Sequence, residues 1–357
     1  MKKYFLALFF LIGIVQISFS QDKKSNASAS NKVKDIRDSA ILFLNHKSSM
    51  GQSKGKPPKM MYADSSRTGK PFSKNPFVIQ FKGRYLMYSS VLPVKGSQSR
   101  EIEITESNDL IHWKNVGFLT IQEPYEKNGI SAPCALVIKG KVHVFYQTYG
   151  NGKNDAICHA ISEDGKTNFV RNATNPIFRP DGDWNCGRAI DAEVFLFKGK
   201  YYMYYATRDP NFKIQMLGVA TAPANTNFNR AEWTHQSKLA PLLKPEEKWE
   251  GECIEAASII KRNGILYMFY AGAYDNWPQQ IGVATSKDGT TWQRLFKKPF
   301  LENGKPGEWN YSESGHPDIF DLGNKSYLFY QGNKDQGKTW WISNVEVGWN
   351  KKGPYLK

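Results

Sequence analysis

The chain has 357 residues, and 48 lysines and arginines against 33 acidic residues give a formal net charge of +15. That length suits one large domain or two small ones, and an aromatic share of 14% with ten tryptophans favours β-structure and surfaces that stack on sugar rings. The basic excess fits either an anionic partner, such as a sulfated or uronic polysaccharide, or a solubilising lysine-rich surface; no nucleic-acid-binding motif is present, so nucleic acid is not expected as a partner.

In chain order, Met1-Lys2-Lys3 is followed by the apolar "YFLALFFLIGIVQI" and the small residues "SFS" before Gln21. This order reads as a secretory signal peptide over residues 1–20, because no second apolar span follows to make it an anchor. A periplasmic or secreted protein with no membrane span is therefore expected. Residues 21–69 read as a flexible lead-in: a polar start, a short helix with Val33, Ile36, Ala40 and Leu44 at helical spacing, then the breaker-rich "KSSMGQSKGKPP". Cys134, Cys158, Cys186 and Cys253 are widely spaced with no C-x-x-C pair, which argues against a zinc knuckle. Disulfides and buried thiols both stay open.

From residue 70 the chain repeats itself. Five segments share a buried run, a Gly or Asn turn and an aromatic run: "NPFVIQFKGRYLMYSS" from Asn75, "APCALVIKGKVHVFYQT" from Ala132, "DAEVFLFKGKYYMYYAT" from Asp191, "EAASIIKRNGILYMFYAG" from Glu255 and "HPDIFDLGNKSYLFYQG" from His316. The turn residues Gly83, Gly140, Gly199, Gly264 and Asn324 are 57, 59, 65 and 60 residues apart. Each segment leads into a third strand such as "QIGVATS", and several close on a loop such as "DGTTWQR". About four antiparallel strands per unit cannot bury both faces alone, but radial packing can. The expectation is an all-β, five-bladed β-propeller over residues 70–357, with a short N-terminal helical extension.

In a propeller the first strand of each blade lines the axis. Counting back eight residues from each turn gives Asn75, Ala132, Asp191, Ala256 and His316, with Glu255 one step earlier in blade four. Polar residues at the heads of inner strands, converging on one axis, are a candidate site.

With "IDAEVF" in blade three, "IEAASIIKRNGILYMFYAG" in blade four and "GHPDIF" in blade five, the chain resembles glycoside hydrolase family 43 and the related family 117. The resemblance implies a glycoside hydrolase with Glu255 as general acid, Asp191 as the carboxylate that tunes its pKa, and His316 as an axial histidine. In family 117 a histidine is the acid, which would give His316 a larger part. The implied mechanism is inverting, with an acid on one side of the ring and a base on the other; a carboxylate beside the acid raises its pKa. No cofactor is required, although an ion on the axis, calcium or another, held by His316 through water, is compatible. The family 117 likeness also implies a homodimer through the N-terminal helix.

The pattern breaks in blade one, where "SKNPF" puts Asn75 in place of the expected aspartate base, and an amide has no useful basicity. Another acid (Asp64, Asp318 or Glu313), substrate assistance or a proton route through Asn75 would restore hydrolysis; the rival reading is a glycan-binding propeller that cleaves nothing. Loop residues Trp184, Arg188, Arg208, Trp277, Trp309 and Tyr311 are candidates to frame sugar subsites, the aromatics by stacking and the arginines by pairing with sulfate or carboxylate. Asn75 joins them as a substrate-binding candidate. The expected function is exo-acting hydrolysis of a plant or algal, anionic oligo- or polysaccharide.

Overall fold

The computed structural model describes residues 58–94 and 99–357. The leader, the helix expected near residues 33–45 and the dimer contact assigned to it lie outside the described residues. Among the described residues, no helix is long and apolar enough to cross a membrane.

Five antiparallel sheets form the five blades. Blade one is β2 (Lys74–Phe81), β3 (Arg84–Val91), β4 (Glu101–Ser107) and β5 (Lys114–Leu119); blade two is β6 (Ile130–Ile138), β7 (Lys141–Thr148), β8 (Ile157–Ser162) and β9 (Val170–Arg171). Blade three is β10 (Ile190–Phe197), β11 (Lys200–Arg208), β12 (Gln215–Pro223) and β13 (Thr234–His235). Blade four is β14 (Ile254–Arg262), β15 (Ile265–Gly272), β16 (Gln280–Ser286) and β17 (Gln293–Arg294). Blade five takes β18 (Glu313–Asp321), β19 (Ser326–Asn333) and β20 (Trp341–Asn350) from the end of the chain. Its outer edge is completed by β1 (Met61–Tyr62), with β21 (Gly353–Leu356) alongside, so the two ends of the propeller are sewn into one sheet. β1 falls inside the stretch read from sequence as lead-in. The inner strands β2, β6, β10, β14 and β18 each touch the next, and β18 returns to β2.

The repeated sequence features explain these elements. Four of the hairpins turn on Lys-Gly or Asn-Gly pairs with both φ angles positive, as at Lys198 (47°) and Gly199 (75°), the geometry that matches strand twist. In blade five the loop covers four residues, and the positive φ falls on Gly323 rather than Asn324. Second-strand tyrosines fill the gaps between blades: Tyr88 and Tyr204 are fully buried, and their hydroxyls donate to the carbonyls of Gly165 and Gly289 in the next blade. Those glycines belong to the "DG" loops; at Gly289 a Cβ would lie 2.9 Å from the Tyr202 ring. Each such buried aromatic contributes about 2 kcal/mol through area alone. All four cysteines are unpaired, three of them buried.

One feature recurs in every inner strand. The register slips at the head of the strand, and the head residue lies in the left-handed region: Asn75 (53°), Ala132 (48°), Asp191 (53°), Ala256 (52°) and His316 (44°). Each such bulge costs about 1–2 kcal/mol for a residue with a Cβ. Side chains from the preceding blade hold three of them: Gln331 accepts from the Asn75 N–H, Ser90 from Ala132 and Gln147 from Asp191. Just beyond the bulge a second ring closes four of the five seams, with Val194 N–H on Cys134, Ile259 on Glu193, Ile319 on Ser258 and Val78 on Asp318.

Candidate active site

The bulges turn the five heads toward one another. All five line a small axial cavity of about 30 Å³, room for about one water. Above it opens a pocket of about 380 Å³. Asp191, His316, Asn75, Glu255, Arg188 and Arg208, all singled out from sequence, stand in its wall, together with Lys74, Arg100, Tyr149, Gln215, Tyr274 and Asp275.

At the centre Glu255, His316 and Asn75 form a chain. His316 Nε2 lies 3.0 Å from Glu255 Oε1, and the Asn75 amide nitrogen lies 2.7 Å from His316 Nδ1. With the amide donating to Nδ1, the imidazole proton sits on Nε2 and points at Glu255. Glu255 also accepts from Gln279 at 2.8 Å and from Gln215. Ligand atoms of Asp191, Glu255 and His316 all lie within 4.8 Å of one another.

The electrostatics divide the two carboxyls. Burial, with the Glu255 charge added, pushes Asp191 up to about 7 against the pull of His316 and Arg188. Asp191 Oδ2 is buried with no hydrogen-bond partner among the described residues, as suits a carboxyl that carries a proton. Burial also pushes Glu255 up, but the hydrogen bond and field of His316 outweigh it and hold Glu255 below its ordinary value. His316 responds in kind: burial lowers it, and the two carboxylates more than restore it. The family resemblance implies a protonated Glu255; the surroundings in the folded site raise the proton affinity of Asp191 and lower that of Glu255. The imidazole offers no open donor atom to a cation, because its Nδ1 lone pair accepts from Asn75 and its Nε2 proton faces Glu255, while Asp191 Oδ2 has no partner among the described residues.

Asp275 was missed in the sequence. It follows β15 in a loop, its carboxylate pairs with Lys74, and its side chain is 43% exposed. Burial raises it, but Lys74 first, then His316 and Arg100, leave it below its ordinary value, hence ionised. The three acids considered as replacements for the missing base are elsewhere. Asp64 accepts from Ser66 beside β1, while Asp318 and Glu313 are buried and spent on Val78, Gln331 and Asn276. Asp275 had a signal, since the end of each second strand pairs with the head of the first (Glu255 faces Ala271), so acids just past second strands belong in the search.

The arginines are placed together by Gln215. Arg188 and Arg208 both donate to its Oε1, at 3.2 and 3.1 Å, and Arg188 lies 3.5 Å from Asp155. The tryptophans stand apart from this wall: Trp184 donates to the Ser237 carbonyl, Trp277 is 78% exposed, and Trp309 lines a separate cavity of about 610 Å³ beside blade five.

Fold and pocket define a five-bladed propeller whose inner-strand heads bring two buried carboxyls and a histidine into the wall of one pocket. The sequence profile of Glycosyl hydrolases family 43 matches residues 34–353, and the chain belongs to that family. It is 21% identical over 161 residues to Alpha-L-arabinofuranosidase 43 of Humicola insolens, covering 41% of this chain and 32% of that protein. It is 27% identical over 134 residues to 1,2-beta-oligomannan phosphorylase of Thermoanaerobacter sp. (strain X514), covering 35% and 43%. The chain thus spans less than half the length of these curated relatives. Among solved structures it is similar to a thermostable family-43 glycoside hydrolase (TM-score 0.64, 19% identity, 80% and 92% of the two chains). An endo-1,4-beta-xylanase from Bacteroides thetaiotaomicron is comparable (TM-score 0.65, 20% identity, 80% and 94%). At such identities the structural likeness speaks for the fold.

Proposed function

We propose that the protein is an exported glycoside hydrolase that removes sugars from chain ends of a plant or algal oligo- or polysaccharide, with inversion at the anomeric carbon. The observation that carries this reading is the buried Asp191–Glu255 pair in the wall of an open pocket, with His316 hydrogen-bonded to Glu255 and ligand atoms of all three within 4.8 Å of one another. Two carboxyls this close hold one proton between them at neutral pH, and they titrate as a pair. Before substrate enters, that proton rests on Asp191. With substrate bound, the shared proton passes from Asp191 to Glu255, ligand atoms of the two lying within 4.8 Å of one another. Glu255 delivers it to the leaving oxygen, and the proton taken from the attacking water returns through solvent to recharge the pair.

Asp275 is the base in this scheme. It is ionised, open to solvent and fixed by Lys74, which suits a carboxylate that takes a proton from water. Asn75 then serves as the donor that sets the His316 tautomer.

The test is hydrolysis of a panel of nitrophenyl glycosides and of plant and algal oligosaccharides by the wild type and by Glu255→Gln. The wild type should cleave at least one substrate from its non-reducing end, and the variant should lose about 10²–10⁴-fold on unactivated substrates, the usual worth of a general acid. Binding without cleavage by the wild type overturns the proposal.

A further inference from the structure

Four cations line the pocket, and three of them are engaged. Lys74 pairs with Asp275 and lies 3.9 Å over the Trp340 ring. Arg188 is held by Gln215 and Asp155, and Arg208 by Gln215 and the Phe212 carbonyl. Arg100 is different. Its guanidinium stacks 4.2 Å from the Tyr149 ring centroid and 5.6 Å from Phe72, while its backbone is tied to blade two through the Ile130 N–H on its carbonyl. It has no acceptor or ion-pair partner among the described residues, yet it lines the pocket. A planar guanidinium fixed by an aromatic face leaves its N–H edge for an incoming group.

We infer that Arg100 is the recognition point for an oxyanion carried by the sugar in this pocket, a uronate carboxylate or a sulfate ester, so that the substrate is an acidic glycan. This rests on the proposed hydrolase reading and names its substrate class. A carboxylate or sulfate accepts two N–H bonds from one guanidinium edge, and an arginine already spent on Gln215, as Arg188 and Arg208 are, has less to offer. An oxyanion on the sugar is favoured over free phosphate at the reacting carbon, because the Glu255 and Asp275 carboxylates would repel a dianion there. Tyr149 supplies the flat face that fixes the guanidinium, so lysine is a poor replacement.

The experiment compares oligosaccharides that differ only at the terminal sugar: glucuronate against glucose, galacturonate against galactose, and a sulfated against an unsulfated galactose. Wild type, Arg100→Gln and Arg100→Lys are assayed, with thermal midpoints confirming that both variants fold. The expected result is a kcat/KM for one acidic substrate at least about 10-fold above its neutral twin, the worth of a charge-assisted bond. Arg100→Gln should remove that preference through KM, bringing the ratio of acidic to neutral kcat/KM close to one whatever smaller loss both twins share from the weaker field at Asp275; Arg100→Lys should restore part of the preference. Whichever acidic series shows the effect distinguishes carboxylate from sulfate. Equal rates on both twins, or an equal loss on both in Arg100→Gln, overturn the inference while the hydrolase reading stands. Release of a sugar 1-phosphate when inorganic phosphate is added, with Arg100→Gln abolishing it, also overturns it by assigning Arg100 to phosphate. If no substrate is cleaved, the hydrolase reading falls, and calorimetric titration with the same twins decides: selective binding of the acidic sugar, lost in Arg100→Gln, supports the inference, and equal or absent binding overturns it.

Discussion

At the scale of single residues, the site is a set of carboxyls given different proton affinities by their surroundings. Asp191 is raised to about 7 from an ordinary 3.8 by burial before any other cause. The folded state therefore binds this proton more tightly than the unfolded chain. Its contribution to stability is fully present below pH 3.8 and is lost as pH rises to about 7. Asp191→Asn should flatten the decline in unfolding free energy measured by urea titration between these limits, where each tenfold difference in proton affinity between the folded and unfolded chain is worth about 1.4 kcal/mol. Parallel profiles for the two proteins would contradict it. In the proposed mechanism the same proton feeds the acid step, so activity should fall on the alkaline side as Asp191 deprotonates. The gathering of these residues was legible: Asp191, Glu255 and His316 are polar residues at strand heads, where packing alone prefers apolar ones, and they line one pocket. The direction of proton sharing was not, because it depends on three donors to Glu255, of which Gln215 and Gln279 come from β12 and the loop before β16.

At the scale of strands, the five repeats were legible because a turn pair and an aromatic run recur about every sixty residues. The bulges were not. Their left-handed residues are Asn, Ala, Asp, Ala and His, and of these Asn, Asp and His favour that region while alanine does not; the glycine signal that usually marks such a position is absent. What holds the bulges is tertiary, a side chain from the blade before. The seam acids were also misread for this reason: Asp318 was considered as a base, yet it accepts the Val78 N–H at 2.8 Å and joins blade five to blade one. Asp318→Ala leaves that buried N–H without a partner and should cost about 2 kcal/mol in urea unfolding. Asp318→Asn keeps an acceptor oxygen there and should cost clearly less. Equal losses would mean that the seam is held by packing alone.

At the scale of the whole molecule, closure of the ring depends on a two-residue strand. Met61 and Tyr62 pair with Ser343 and Ile342, the Ser343 hydroxyl donates to the Met60 carbonyl at 2.7 Å, and Met60 is buried. A protein starting after Asp64 loses this edge, exposing the ladder of β20. Its thermal midpoint should fall by several degrees, as about 1 kcal/mol shifts a chain of this size by roughly 2–4 °C or less; an unchanged midpoint would show that β21 alone closes the blade. Closure matters because it brings heads from blades one, three, four and five to one axis, and the claim that this ring forms a hydrolytic site is the one most worth testing. The direct measurement is proton NMR of the first-formed product from a cleaved substrate, with wild type and Asp275→Asn run side by side. Inverted anomer from the wild type, and a loss of about 10²-fold or more in the variant, is the predicted result. Retained anomer, or undiminished hydrolysis by Asp275→Asn, would contradict it.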